Sequence, residues 1–172
     1  MVMLAVCLGM RSSDICNLQF ANLYWDRNTI EFSTIKTGKH TVLPLTPELG
    51  NAIIHYLQKV RPNVNIPQLF IRFQAPFGPL KPAILHTIVT EAFHNAGIVI
   101  PAGKRHGPHA LRASLAGEML KKDVPLPIIS EVLSHSNINT TKTYLKVDLP
   151  HLRVLALDVP GLEGVWMGGA RL

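Results

Sequence analysis

Proline residues limit what this chain can fold into, because they divide most of it into short segments. All 13 prolines lie between positions 44 and 160 of the 172 residues. Each proline removes a backbone donor and fixes φ, which ends or kinks a helix. Hydrophobic residues nevertheless make up 47% of the chain, and aromatic residues only 6%. The sequence therefore predicts one compact domain, at most with an appended tail, whose aliphatic core is interrupted by many turns.

Hydrophobic spacing and turn residues predict a mostly helical chain with a small three-stranded antiparallel sheet, which is an α+β fold. The predicted helices span residues 12–19, 47–60, 84–96, 107–122 and 125–133, and the predicted strands lie near 23–26, 29–35 and 41–45. We expect Thr37–Lys39 to form the turn between the last two strands. Pro44 makes the final strand an edge strand or marks its end. Residues 61–82, rich in proline and glycine, predict a long surface connection.

Local patterns also predict which residues cap and bury these helices. Ser12 or Ser13 is the expected N-cap of the first helix. The side of helix 107–122 expected to be buried carries Leu111, Leu115 and Met119. In helix 125–133, the residues expected to face the core are Ile128, Ile129, Val132 and Leu133.

Positive charge is concentrated in the middle of the chain. The whole sequence has 17 Lys and Arg against 11 Asp and Glu, a net charge of +6. Residues 36–112 alone carry nine basic and two acidic residues. A block of this kind favours a polyanionic partner such as a phosphate backbone. An ordinary solvated face is the alternative explanation of the same charges.

Several classes of protein are excluded by simple features. Two cysteines, at positions 7 and 16, cannot form a disulfide framework, and no cluster of His and Cys has zinc spacing. The apolar residues 1–8 lack the basic start and cleavage site of a secretory signal, and no apolar run is long enough to cross a bilayer. These first residues instead predict a buried helix end. Because a domain rarely starts with buried sequence, we expect the chain to be a fragment of something longer.

Six residues have side chains suited to phosphate chemistry, although each alone has an ordinary structural explanation. They are Arg11, Lys36, His109, Arg112, His135 and Tyr144. Taken singly, the arginines and the lysine would be surface residues. The histidines would be a helix neighbour and a helix cap, and the tyrosine a half-buried core residue.

The order and spacing of these residues are more specific than any one of them. The segments that contain them are Gly9-Met10-Arg11, Ile35-Lys36-Thr37-Gly38-Lys39, Pro108-His109-Ala110-Leu111-Arg112 and Leu133-Ser134-His135, with Tyr144 nine residues after His135. Together they resemble the catalytic domain of the tyrosine recombinases, the phage integrase family. That family's signature is an arginine in a glycine–hydrophobic–arginine segment, a hairpin lysine, His-x-x-Arg, Leu-Gly-His and a tyrosine nine residues beyond. The resemblance covers roughly residues 4–148, and the one departure is Ser134, where the family usually has glycine.

The resemblance implies a metal-free transfer of a DNA phosphodiester. Arg11 and Arg112 would clamp its non-bridging oxygens, because planar guanidinium groups match phosphate geometry. His109 and His135 would add hydrogen bonds or proton transfer. Stabilisation of developing charge by such fixed donors is a large contribution to catalysis.

The remaining roles follow from the same resemblance. Tyr144 would be the nucleophile that forms a phosphotyrosyl bond, and Lys36 the general acid that protonates the departing 5′ oxygen. Asp14, three residues after Arg11, would orient its guanidinium group. The residues expected to bind DNA are Lys39, Lys104 and Arg105.

The resemblance also implies a wider organisation. Residues 1–148 would form the catalytic domain, without the core-binding domain that precedes it in the family, and residues 149–172 a C-terminal tail. The expected partner is double-stranded DNA, bound by a homo-tetramer, with no cofactor, no metal and no membrane. A cytoplasmic location in a bacterial or phage-derived system is expected.

Two alternative functions remain open from the residues. A type IB topoisomerase would use the same chemistry without strand exchange, although the Leu-Ser-His segment and the tyrosine spacing fit recombinases better. A DNA-binding module that has lost catalysis is the other alternative. The presence of the expected residue type at all six positions argues against such a loss.

Overall fold

The structure is a computed structural model, and it describes residues 1–104 and 106–134. Three predicted site residues, Arg105, His135 and Tyr144, lie outside the described residues. The same is true of the predicted tail at 149–172. No helix among the described residues is both long and apolar enough to cross a membrane.

Six α-helices and three strands make up the described part of the chain. The helices are α1 (Val2–Cys7), α2 (Ser12–Asn17), α3 (Pro47–Lys59), α4 (Ile84–Asn95), α5 (Pro108–Lys121) and α6 (Leu126–Val132), and the strands are β1 (Leu23–Tyr24), β2 (Thr29–Ser33) and β3 (His40–Pro44). A 3₁₀ turn over Phe20–Asn22 leads from α2 into β1. The predicted mixture of helices with a three-stranded antiparallel sheet is confirmed.

The sheet has the order β1-β2-β3 and is antiparallel throughout. Ile30 lies opposite Leu43 and Phe32 opposite Thr41, so the inward positions of β2 and β3 alternate with exposed ones. Pro44 ends β3 at the sheet edge, as predicted. Gly38 in the β2–β3 turn has φ +65°, a conformation that favours glycine.

The main core lies between the sheet and helices α1 to α4. Leu4 and Ala5 of α1 are fully buried, which confirms the buried helix end predicted for the first residues. Helix α3 begins where the hydroxyl of Thr46 accepts a hydrogen bond from the backbone N–H of Leu49, at 3.4 Å. A smaller cluster of Ala116, Ile129 and Leu133 joins α5 to α6.

The structure departs from three predictions about the helices. Helix α2 begins at Ser12, so Arg11 occupies the N-cap position, and neither serine caps it. Helix α5 buries Pro108, Arg112 and Ala116, whereas its expected core residues pack against the core but are only partly buried. A hydropathy pattern predicts that an arginine is exposed to solvent, but the guanidinium group of Arg112 donates hydrogen bonds to backbone carbonyls in the interior. The next helix exposes Ile128, although its neighbour Ile129 is buried as predicted.

The connection over residues 61–82 is only partly at the surface. Leu69, Phe70 and Ile71 are buried in the middle of it. The Arg61 guanidinium group donates hydrogen bonds to the carbonyl oxygens of Ile66 and Leu69, at 2.8 and 3.1 Å. This arginine satisfies backbone acceptors that lack a helix or sheet partner, which allows an irregular segment to reach the core.

Candidate active site

Arg112 lies at the centre of the candidate site. Its side chain projects from α5 into the interior, and the residue is only 7% exposed. One guanidinium nitrogen donates a hydrogen bond to the carbonyl oxygen of Gly9, and another donates to that of Leu133. These carbonyls follow α1 and α6, where the last carbonyls of a helix have no intrahelical partner. The buried charge is therefore compensated by fixed dipoles, and three segments are joined around it.

Gly9 is required by the close packing beside this arginine. Its φ is +60°, and a Cβ atom built on it would lie 2.8 Å from Cδ2 of Leu133 and 2.9 Å from Cδ2 of Leu115. Both the backbone conformation and the available space therefore exclude any larger residue.

We expect Gly9→Ala to lower the free energy of unfolding by about 2 to 4 kcal/mol, because backbone strain and overpacking add together. Gly38→Ala is the matched control, since Gly38 also has a positive φ but no atom within 4 Å of a built Cβ. The control should lose about 1 kcal/mol. Urea denaturation of the two variants measures the difference, and equal losses would contradict the packing explanation.

Arg11 approaches the same place from the N-cap of α2. Its Nη2 donates a hydrogen bond to the carbonyl oxygen of Ser134, at 2.9 Å. Its Nη1 lies 3.9 Å from Oδ2 of Asp14, and the exposed fraction of the arginine side chain is 15%. Asp14 is itself buried, and its Oδ1 accepts a 2.9 Å hydrogen bond from the backbone N–H of Ile35. Asp14 therefore connects Arg11 to the residue that precedes Lys36.

The two residues before His135 connect both arginines. Leu133 and Ser134, which we call the strap, accept hydrogen bonds through adjacent carbonyls from Arg112 and Arg11 respectively. The bond from Arg11 joins residues 123 positions apart. Ser134 has φ +48°, and its hydroxyl lies 2.8 Å from that of Thr41 on β3. The strap thus joins α2, α5 and the hairpin.

The other predicted site residues within the described chain are exposed. Lys36 and Lys39 lie on the β2–β3 turn, and Lys104 lies in the loop before α5. His109 is the second residue of α5 and is exposed, whereas Arg112, one turn later, is buried. The structure therefore brings Arg11 and Arg112 together with the start and end of the β2–β3 turn, at Ile35 and Thr41. The exposed Lys36 and Lys39 lie on that turn.

Sequence reasoning placed Gly9 in a motif without giving it a packing role, and it missed Thr41 and the polar role of Ser134. Thr41 occupies an inward position of β3, in phase with the buried Leu43. A threonine at such a position signals a buried hydroxyl that needs a partner. Its partner lies 93 positions away in the sequence and could not be identified from the pattern.

Comparison with known proteins agrees with this fold. The model of the Phage integrase family matches residues 1–151. The putative integrase/recombinase y4gC of Sinorhizobium fredii is 41% identical over 155 residues, which cover 90% of this chain and 79% of that protein. Tyrosine recombinase XerA of Pyrococcus horikoshii is 32% identical over 162 residues, covering 94% of this chain and 54% of the relative.

Solved structures show the same architecture. A crystal structure of XerA recombinase superposes with a TM-score of 0.71 at 21% identity, over 90% of this chain and 54% of that one. XerH site-specific recombinase, bound to its palindromic difH substrate in a post-cleavage complex, also gives a TM-score of 0.71, at 23% identity, over 89% of this chain and 42% of that one. This chain therefore spans about half the length of these Xer recombinases.

The fold and the arginine-centred site define a tyrosine-recombinase catalytic domain. The chain belongs to the phage integrase family, as its motifs predicted. The predicted α+β recombinase fold and the enzyme class are likewise confirmed. Neither alternative, a topoisomerase or an inactive DNA-binding module, is supported by these relatives.

Proposed function

We propose that this chain breaks and rejoins duplex DNA at specific sites through a 3′-phosphotyrosyl intermediate, without metal or ATP. The observation that carries this function is the meeting of Arg11 and Arg112 on adjacent carbonyls of the strap. Two guanidinium groups fixed at one place form a clamp suited to the non-bridging oxygens of a phosphodiester. Because the clamp is held by backbone contacts, it needs little reorganisation as charge develops on the phosphate.

The proposed reaction balances without an external reactant. The phenol oxygen of Tyr144 forms a bond to phosphorus while the bond from phosphorus to the 5′ oxygen breaks. The phenol proton passes to His109 or His135, and the Lys36 ammonium group gives a proton to the 5′ oxygen. The products are a 3′-phosphotyrosyl enzyme and a free 5′-hydroxyl. The reverse reaction rejoins the strand, so the phosphodiester energy is retained.

Covalent capture tests this function directly. The chain is mixed, in EDTA, with randomised duplexes that carry a nick, so that a short cleaved strand diffuses away and traps the intermediate. DNA that stays bound to protein under denaturing conditions is sequenced and remade, and we call it the captured duplex. A denaturant-resistant complex is expected. Failure to capture any duplex would overturn the proposed function.

The role proposed for Lys36 has a chemical test. Lys36→Ala should slow cleavage of the captured duplex by about 10²- to 10³-fold, the usual contribution of a general acid. A duplex with sulfur in place of the 5′ bridging oxygen should restore most of the rate, because a thiolate leaves without a proton. Lys39→Ala, on the same exposed turn, is the control, and sulfur should not relieve any loss that it causes. A Lys36→Ala defect equal on both duplexes would exclude the general acid role.

DNA binding is proposed to use the basic middle of the chain. Lys39 and Lys104 are exposed, and Arg105, outside the described residues, adjoins Lys104. XerH, which shares this fold, is seen bound to its DNA substrate. We further propose that the protein assembles as a homo-tetramer on DNA and acts in the cytoplasm. In this proposal, residues 1–148 form the catalytic domain and residues 149–172 form a tail.

Binding of a duplex of unselected sequence should weaken steeply with salt, because phosphate contacts release counterions. Replacing Lys104 and Arg105 by glutamine should lower affinity for all sequences alike. It should also make the slope of log K against log salt shallower by about 2, one for each phosphate contact. Replacing Lys121 and Lys122 by glutamine removes the same charge from the end of α5 and is the control. Fluorescence anisotropy across a salt series measures both slopes, and equal changes would contradict a DNA contact at 104–105.

A further inference from the structure

A chain of hydroxyl groups connects the strap to the turn that carries Lys36. The Ser134 hydroxyl lies 2.8 Å from that of Thr41, and both residues are buried. The Thr41 hydroxyl donates to the carbonyl oxygen of Lys39 at 3.4 Å, and Thr34 reaches the same carbonyl at 3.3 Å. The Thr34 hydroxyl also lies 2.6 Å from that of Thr37. The turn between Thr34 and Thr37 contains Lys36.

One arrangement of protons satisfies all these contacts. Ser134 donates to Thr41 and Thr41 donates to the carbonyl of Lys39, while Thr37 donates to Thr34 and Thr34 donates to the same carbonyl. Each hydroxyl then donates once. The carbonyl oxygen of Lys39 accepts from both threonine hydroxyls, at 3.3 and 3.4 Å, and also from a backbone N–H, so its hydroxyl bonds are long and shared. Backbone bonds reinforce the turn, since the N–H of Thr34 donates to the carbonyl of Lys39 at 3.0 Å and that of Gly38 to the carbonyl of Thr34 at 2.8 Å.

The backbone of Ser134 indicates that this hydroxyl has a specific role. Its φ of +48° belongs to the left-handed region, where a side chain is strained relative to glycine. The family usually has glycine at this position, which would adopt the conformation without strain. Serine adds strain together with a hydroxyl, and that hydroxyl joins the hairpin.

We propose that Ser134 and Thr41 are positioning residues, which hold the Lys36 turn in register with the strap that Arg11 and Arg112 bind. Proton delivery to the leaving 5′ oxygen is then coupled to the phosphate clamp. A purely structural pair would affect folding stability and every step alike. Because Lys36 acts in the function proposed above, this inference rests on that function.

Amide hydrogen exchange tests the link without DNA. Ser134→Gly and Thr41→Val each remove the hydroxyl contact, so the amides of Thr34 and Gly38 should exchange about 5-fold faster, as expected for the loss of one hydrogen bond. Thr41→Ser, which keeps the hydroxyl, should exchange as the unmodified chain does. Thr90→Val removes a hydroxyl that bonds only within α4 and is the control. Unchanged exchange at the turn in Ser134→Gly would overturn the proposed link.

The rate of cleavage of the captured duplex distinguishes a positioning role of Ser134 and Thr41 from an effect on folding stability. Ser134→Gly should be more stable to urea than Ser134→Ala, because glycine relieves the strain, yet both should slow cleavage by a similar factor of about 10. Sulfur at the 5′ bridging position should restore the rate of Ser134→Gly and Thr41→Val, as it does for Lys36→Ala, and Thr41→Ser should need no rescue.

The possible failures are distinguishable. If the unmodified chain captures no DNA, the proposed function fails and the inference fails with it. If Lys36→Ala is rescued by sulfur but Ser134→Gly and Thr41→Val cleave normally, or are impaired equally on both duplexes, only the inference is overturned.

Discussion

Tyr144→Phe is expected to abolish the covalent protein–DNA complex while leaving the fold and most of the DNA affinity intact. A phenol has a pKa of about 10 and becomes a nucleophile at neutral pH only beside groups that favour the phenolate. In the proposed function, the two arginines on the strap would supply such a positive site. Removing one oxygen atom therefore removes the whole reaction rather than slowing it. Gel electrophoresis of the captured duplex under denaturing conditions measures the complex.

Tyr56→Phe is the matched control for this loss. Tyr56 lies on α3, and its ring packs against Phe70 with centroids 5.2 Å apart. Burial raises the pKa of the Tyr56 phenol above its ordinary value. The control should form the covalent complex normally. A denaturant-resistant complex that survives Tyr144→Phe would show that another residue is the nucleophile.

Arg112→Lys is expected to slow covalent complex formation by about 10²- to 10³-fold, the effect of losing a fixed donor to developing charge. Lysine keeps the charge but has no planar fork, so it cannot reach the carbonyls of Gly9 and Leu133 together. Arg112→Ala should in addition lower the free energy of unfolding by about 2 to 4 kcal/mol, because two buried carbonyls lose a charged donor. Rates are measured by quenched time courses at a temperature where each variant is folded.

Arg61→Lys provides the comparison for Arg112→Lys. Arg61 also donates to several backbone carbonyls, but it holds the 61–69 loop rather than the strap. Its variant should lose stability while the folded protein cleaves at the normal rate. Equal slowing by the two variants would assign Arg112 a structural role alone.

Local signals explain how much of the fold could be predicted. Helix α3 is predicted over 47–60 and spans Pro47–Lys59, because a proline in its first turn and an apolar stripe are local signals. The sheet was predicted for the same reason, since alternation around Ile30 and Phe32 is a local pattern. Residues 61–82 were misjudged because proline and glycine indicate irregular backbone but not its depth in the molecule.

The buried side of α5 shows the limit of such patterns. Leu111 and Leu115 suggested one face of the helix, but the residues buried on it include Arg112. A charged residue can be buried only where acceptors are left unpaired, and those acceptors follow two other helices. No property of the α5 sequence indicates that the ends of α1 and α6 meet there.

The family, the order of the chemical groups and the local elements that carry them can be read from the sequence alone. Each of these depends on residues close together in the chain, such as His109 and Arg112 within one helix. The meeting of Arg11 and Arg112 on one strap, the packing that requires glycine at Gly9 and the contact between Ser134 and Thr41 depend on tertiary packing. The hydrogen bonds between Ser134 and Thr41, from Arg112 to Gly9 and from Arg11 to Ser134 link residues 93, 103 and 123 positions apart. They depend on which backbone carbonyls and hydroxyls lack partners after the helices pack, and local sequence preferences do not contain that information.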